Sequence, residues 1–69
     1  MNKLNSEVVR AYMPAHTFVE PSSENTIKIY DRTTGGFTVV SNDNKIVFET
    51  KGVRKDISEM LCILCKAFS

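Results

Sequence analysis

Between Thr26 and Lys51 apolar and polar side chains alternate, and a period of two dictates most of what this chain can become. The stretches TIKIYD (26–31), GFTVVS (36–41) and KIVFETK (45–51) are rich in β-branched and aromatic residues, which suit a pleated, half-buried surface. The connector DRTTGG brings glycines for the positive φ of a turn, and Asn42-Asp43, with Asn44 beside them, suit a tight hairpin. A two-residue turn at Asn42-Asp43 sets Val39 opposite Ile46 and Phe37 opposite Phe48. A loop over 31–35 sets Ile29 opposite Phe37 and Ile27 opposite Val39. Both hairpins then gather Ile27, Ile29, Phe37, Val39, Ile46 and Phe48 on one face, the expected core. The other face shows Lys28, Tyr30, Thr38, Val40, Lys45, Val47 and Glu49.

The flanks follow the helical period. Over residues 3–12, Leu4, Val8, Ala11 and Tyr12 form an amphipathic stripe, with Asn2 or Asn5 as cap and Pro14 as stop. HTFVE (16–20) is a candidate short strand, ended by the loop Pro21-Ser22-Ser23-Glu24-Asn25. From about Arg54 to Phe68, Ile57, Met60, Leu61, Leu64 and Phe68 converge on one side of a helix, opposite Lys55, Glu59 and Lys66. Asp56 in its first turn and Lys66 near its last suit the macrodipole. The expected fold is a single α+β domain over 1–69: a three-stranded antiparallel meander, four-stranded if 16–20 joins it. A C-terminal helix and a short N-terminal helix pack on one face. Sixty-nine residues hold one such domain and no more.

Several classes fall away. The longest apolar run, Met60 to Cys65, is far short of the roughly 20 residues that span a bilayer, and MNKLNSEVVR has no continuous apolar core of a secretory signal. The expectation is a cytoplasmic chain with reduced cysteines and no membrane partner. Nine Lys/Arg against eight Asp/Glu leave a net charge of +1, so no bulk field draws nucleic acid or anionic lipid.

The Cys62-x-x-Cys65 pair is the nearest approach to a chemical motif. Redox pairs of this spacing use a helix N-terminus to stabilise the thiolate, whereas this pair lies in the last turns, where the dipole has the opposite sign. Zinc needs three or four ligands, and beyond these two the chain offers His16 alone among His and Cys. On the wheel Cys65 borders the apolar stripe and Cys62 falls nearer the polar side, so both read as small packing residues with no metal and no cofactor. His16 has only Ser22, Ser23 and Asp31 as unplaced companions for nucleophilic chemistry, with no G-x-S-x-G elbow. Thr33-Thr34-Gly35-Gly36 lies between strands, not ahead of a helix, and reads as a hairpin loop, not a phosphate cradle. Glu20, Glu24, Asp31, Asp43 and Glu49 lack calcium spacing. No catalytic residues are assigned and an enzyme is not expected.

That leaves surfaces. Tyr30, Val40 and Val47 make the outer sheet face more apolar than solvation requires, and Ile63 flanks the polar stripe of the last helix where Glu or Lys is expected. The expected function is therefore a small protein-binding factor, an adaptor or inhibitor of another protein. Lys28, Tyr30, Thr38, Val40, Lys45, Val47 and Ile63 are its candidate contacts. Homodimerisation through an open sheet edge or the last helix suits so small a core. Stand-alone domains of this size are often accessory or regulatory factors, phage-encoded ones included. The alternative is nucleic-acid binding. Helix, three antiparallel strands, helix resembles the element order of the double-stranded RNA-binding domain, and Lys51, Arg54 and Lys55 stand where that family carries phosphate-contacting lysines. The family's lysine cluster is denser, and its small-residue Ala run is replaced here by the bulky ISEMLCILC. Tyr30 with Lys28 and Lys45 also suits a stacking platform for single strands, although one aromatic implies little affinity.

Overall fold

In the computed structural model of the protein, which describes residues 4–23, 25–41 and 43–68, the alternating segments form an antiparallel sheet of four strands. The strands are β1 (Thr17–Ser23), β2 (Thr26–Asp31), β3 (Phe37–Ser41) and β4 (Lys45–Glu49), side by side in chain order. Helix α1 (Ser6–Tyr12) precedes them and α2 (Lys55–Ala67) follows. The candidate strand at 16–20 is real and longer than expected, running through Pro21 to Ser23, with a bulge between Pro21 and Ser23. Proline is tolerated there because β1 is an edge strand with no neighbour to receive an N–H on that side. The fourth strand also takes the element order away from that of the double-stranded RNA-binding domain.

The register differs by one residue from the sequence expectation. Ile27 pairs with Val40, Ile29 with Thr38 and Tyr30 with Phe37. Thr38 and Val40, expected on the outer face, are fully buried, whereas Phe37 and Val39 turn outward. The cause lies in the loop between β2 and β3. The main chain closes it at Asp31–Gly36, with Asp31 N–H donating to Gly36 O (2.7 Å) and Gly35 N–H to Asp31 O (2.9 Å). The Asp31 carboxylate accepts from Thr33 N (2.8 Å) and Thr33 Oγ1 (2.6 Å), an Asx-type turn, and from Arg54 N (3.2 Å) at the head of α2. Gly36 is packed beneath the segment leading into that helix: a Cβ there would lie 3.0 Å from Thr50 Oγ1 and 3.1 Å from Val53 N.

The second hairpin also departs from a two-residue turn. Ser41 pairs with Lys45 around a three-residue loop whose last residue, Asn44, has φ 64°. Asn42 lies outside the described residues. One residue further on, a bulge makes Val47 an extra residue, so that Val40 pairs with Ile46 but Val39 with Phe48. Loop and bulge together carry Phe48 to the outer face. Ile46 keeps the inner face but is partly exposed at the sheet edge. Asn44 also ties the two chain ends: Leu4 N–H donates to its Oδ1 (3.3 Å), and its Nδ2 donates to Phe68 O (2.6 Å).

The buried core is aliphatic: Leu4, Val9, Val19, Ile27, Ile29, Val40, Ile57, Leu61 and Leu64. Helix α2 follows its sequence stripe, with Ile57, Leu61 and Leu64 buried and Met60, Cys65 and Phe68 packed at the margin. Helix α1 does not. Asn5 caps it, accepting from Val8 N (2.9 Å), but its buried residue is Val9, and Ala11 and Tyr12 of the expected stripe are exposed. Two turns are too few for their own period to choose the docking face; contact with β1 and α2 chooses it.

Two outcomes follow. Leu61→Ala removes a fully buried side chain and should lower unfolding free energy by about 2–5 kcal/mol, read from the urea midpoint. Burial pushes the Asp31 pKa up, but hydrogen bonds from Thr33, Arg54 and Thr34 outweigh it and take the carboxyl from its usual 3.8 down to about 2. Because the folded value is depressed, Asp31 contributes stability above pH ~4 and loses it as pH falls towards ~2. Asp31→Asn should flatten that part of an acid-unfolding profile.

Candidate functional site

Strand alternation and the observed register assemble one surface from all four strands. Across the sheet, Phe18 pairs with Tyr30 and Tyr30 with Phe37; in the next outward row, Glu20 pairs with Lys28, Lys28 with Val39, and Val39 with Phe48. Four of the chain's six aromatic residues (two Tyr, four Phe) thus stand on the sheet face turned away from the helices. Phe37 is partly covered, with its ring 5.7 Å from that of Phe48 at 43°. Phe48 is 52% exposed, Phe18 44% and Tyr30 37%. A tilted pair of this kind contributes about 0.5–1.5 kcal/mol beyond its buried area, which accounts for Phe37 and Phe48 meeting but not for the exposure left over.

Cations lie against these rings. Lys28 Nζ is 4.5 Å from the Phe37 centroid and 5.8 Å from that of Tyr30, and the Arg32 guanidinium is 5.6 Å from that of Phe18. Lys45, paired with Ser41 next to inward Val40, belongs to the same side. The face therefore carries Lys28, Arg32 and Lys45 against Glu20, although the chain is near neutral. The loop that leads from β4 to α2 adjoins one end of it: Phe37 N–H donates to Thr50 Oγ1 (2.9 Å), Thr50 N–H donates to Phe37 O (3.0 Å), and Lys51 follows.

Of the contacts expected from sequence, Lys28, Tyr30 and Lys45 are on this face, and Thr38 and Val40 are inside the core. Val47 is exposed at the bulge on the sheet edge. Glu49 turns towards the helix side, accepting from Ser58 Oγ (3.3 Å) and Thr38 Oγ1 (3.4 Å). Ile63 is exposed on the far side of α2 and shares no surface with the aromatic face. Lys51, Arg54 and Lys55 are all exposed around the head of α2, with Arg54 Nε 3.6 Å from Asp56 Oδ1. Phe18, Phe37, Phe48 and Arg32 were not foreseen as surface contacts. The readable signal was the loop chemistry: Asp31-x-Thr33 closes an Asx turn, and Asn44 suits the left-handed last position of a three-residue loop.

Elsewhere the chemistry is sparse. Cys62 is exposed and Cys65 half-buried, both as free thiols in the last turns of α2. Burial, and then the neighbouring Cys62, push the Cys65 thiol above its ordinary pKa, the opposite of an activated nucleophile. His16 Nε2 lies 3.6 Å from Asp56 Oδ2 without a hydrogen-bond partner. Among the described residues no three His, Cys, Asp or Glu side chains are grouped to hold a metal ion, and no helix is long and apolar enough to cross a membrane.

Timed alkylation with iodoacetamide, followed by mass spectrometry, should modify Cys62 first and Cys65 several-fold more slowly, the gap narrowing as pH rises. No protein-family model, curated protein or solved structure matches this chain.

Proposed function

We propose that this chain is a small non-enzymatic binding protein whose working surface is the outer sheet face, and that the ligand is single-stranded nucleic acid. One observation carries the reading: Phe18, Tyr30, Phe37 and Phe48 share an open antiparallel sheet face with Lys28 and Arg32 at their rings. Bases stack on exposed rings whatever their sequence, while cations between the rings meet the phosphates. A single aromatic with two lysines argues for little affinity; four aromatics and a locally positive face remove that objection. Affinity is modest on this reading, because few phosphates are neutralised.

A second reading, docking of another protein as an adaptor or inhibitor, is favoured by Val47 and Phe48, apolar side chains that stand 60% and 52% exposed on β4. Aromatic residues ringed by Arg and Lys also suit the centre of a protein interface.

Fluorescence anisotropy with labelled oligo-dT and oligo-U separates the two. Binding is expected at low salt with a log–log salt slope of about −2, from about 0.7 per phosphate for three cations. Tyr30→Ala and Phe48→Ala should each weaken it about tenfold, at ~1–3 kcal/mol per stacked base. Tyr12→Ala, an exposed aromatic off this face, should leave it unchanged. No binding at several hundred micromolar protein would overturn the nucleic-acid reading. Capture of a partner protein lost on Tyr30→Glu or Phe48→Glu would then support the second.

A further inference from the structure

Each strand of the sheet contributes one aromatic ring: Phe18 from β1, Tyr30 from β2, Phe37 from β3 and Phe48 from β4. Phe18, Tyr30 and Phe37 are cross-strand neighbours in one outward row, and Phe48 stands one row further along, opposite Val39. Strands lie about 4.8 Å apart, and a base held between two rings needs about 7 Å, twice the ~3.4 Å rise of stacked bases. Bases therefore lie on these rings, not between them. Phe37 and Phe48, tilted together with centroids 5.7 Å apart, offer one resting place and not two, because Phe37 is already partly covered. The face has three stations: Phe18, Tyr30 and the Phe37–Phe48 pair.

The cations divide the face in the same way. Arg32 follows β2, yet its guanidinium lies 5.6 Å from the Phe18 ring on β1, so it spans the step from the first station to the second. Lys28 Nζ is 5.8 Å from the Tyr30 ring and 4.5 Å from that of Phe37, and spans the step from the second to the third. Three bases are joined by two phosphates, and each step holds one cation. When a base takes a ring face, the cation there exchanges a cation–π contact for a charge-assisted bond to phosphate.

Resting on the nucleic-acid reading above, we infer that the ligand is a run of three unpaired nucleotides crossing all four strands, one base per station, with its two linking phosphates at Arg32 and Lys28. Lys28 and Arg32 flank Tyr30 along the chain, and Phe48 is one row off, so the path is oblique. It runs from the Arg32–Phe18 corner to the Phe48–Lys45 corner, where a fourth nucleotide brings its phosphate to Lys45. A base inside a duplex is covered on both faces by its neighbours, so paired strands do not fit.

Titration of the 15N-labelled full chain with unlabelled oligo-dT of two, three, four, six and eight nucleotides, at low salt and followed by amide chemical shifts, tests the footprint. Affinity should rise about tenfold from two nucleotides to three, at ~1–3 kcal/mol per stacked base. Beyond four it should grow only with the number of registers available. Phe18→Ala, at a 44% exposed position, should keep the circular dichroism spectrum and remove the step, leaving three nucleotides bound no tighter than two. Affinity that climbs evenly to eight nucleotides, a plateau already at two, or a step at three that survives Phe18→Ala overturns the footprint while leaving single-strand binding intact. So does an oligo-dA·oligo-dT duplex that binds as tightly as the single strand. No binding at any length removes both the footprint and the reading beneath it.

Discussion

The buried carboxylate of Asp31 holds this structure in register. It sits at the end of β2 and accepts from Thr33 N and Oγ1 within the hairpin loop and from Arg54 N ahead of α2. One side chain thereby fixes the loop closing the first hairpin and the approach of the helix that covers the sheet. Gly36, with no side chain, lets the segment from Thr50 to Val53 lie directly on that loop. A carboxylate satisfied in this way is strongly position-specific, because any slip leaves it buried and unpaired. The chain accepts an inward Thr38 and an outward Phe37 in keeping that arrangement.

From that register follows the division of apolar material. Among the described residues nine aliphatic side chains form the buried core between sheet and helices, with Val8, Met13, Val53, Met60, Cys65 and Phe68 packed against it. The large rings gather outside instead. In a chain this short, apolar residues are normally all needed for the core. Four aromatics left on an open face are the largest departure of this structure from what stability alone asks.

Charge is partitioned with the same asymmetry. The net charge of +1 conceals a sheet face on which, among the described residues, Lys28, Arg32 and Lys45 stand with Glu20, while Asp31 is taken up inside the fold and Glu49 and Asp56 engage groups at the α2 side. Net charge measures a whole surface; a ligand that meets one face responds to the local excess. The thiols stay outside this account, because Cys65 is pushed away from thiolate formation and Cys62 lies on the exposed side of the helix.

The sequence by itself determined three of the four strands and the last helix. The period-two stretches at 26–31, 36–41 and 45–51 and the apolar stripe of Ile57, Leu61 and Leu64 are each local patterns that only one kind of element satisfies, whereas β1 was a candidate at 16–20 with its last residues expected in a loop. Lys28, Tyr30 and Lys45 were also legible as outward residues. Tertiary structure alone decided which side of β3 and β4 faces the core. Apolar residues occupy both sides of those strands, as Phe37, Val39 and Phe48 against Val40 and Ile46, so alternation was nearly indifferent to parity. The choice fell to contacts remote in sequence, Asp31 with Arg54 and Gly36 with Val53, together with a left-handed Asn44 and a bulge at Val47. Because side chains on a strand repeat every two residues, one residue of loop geometry was enough to exchange the inner face for the outer.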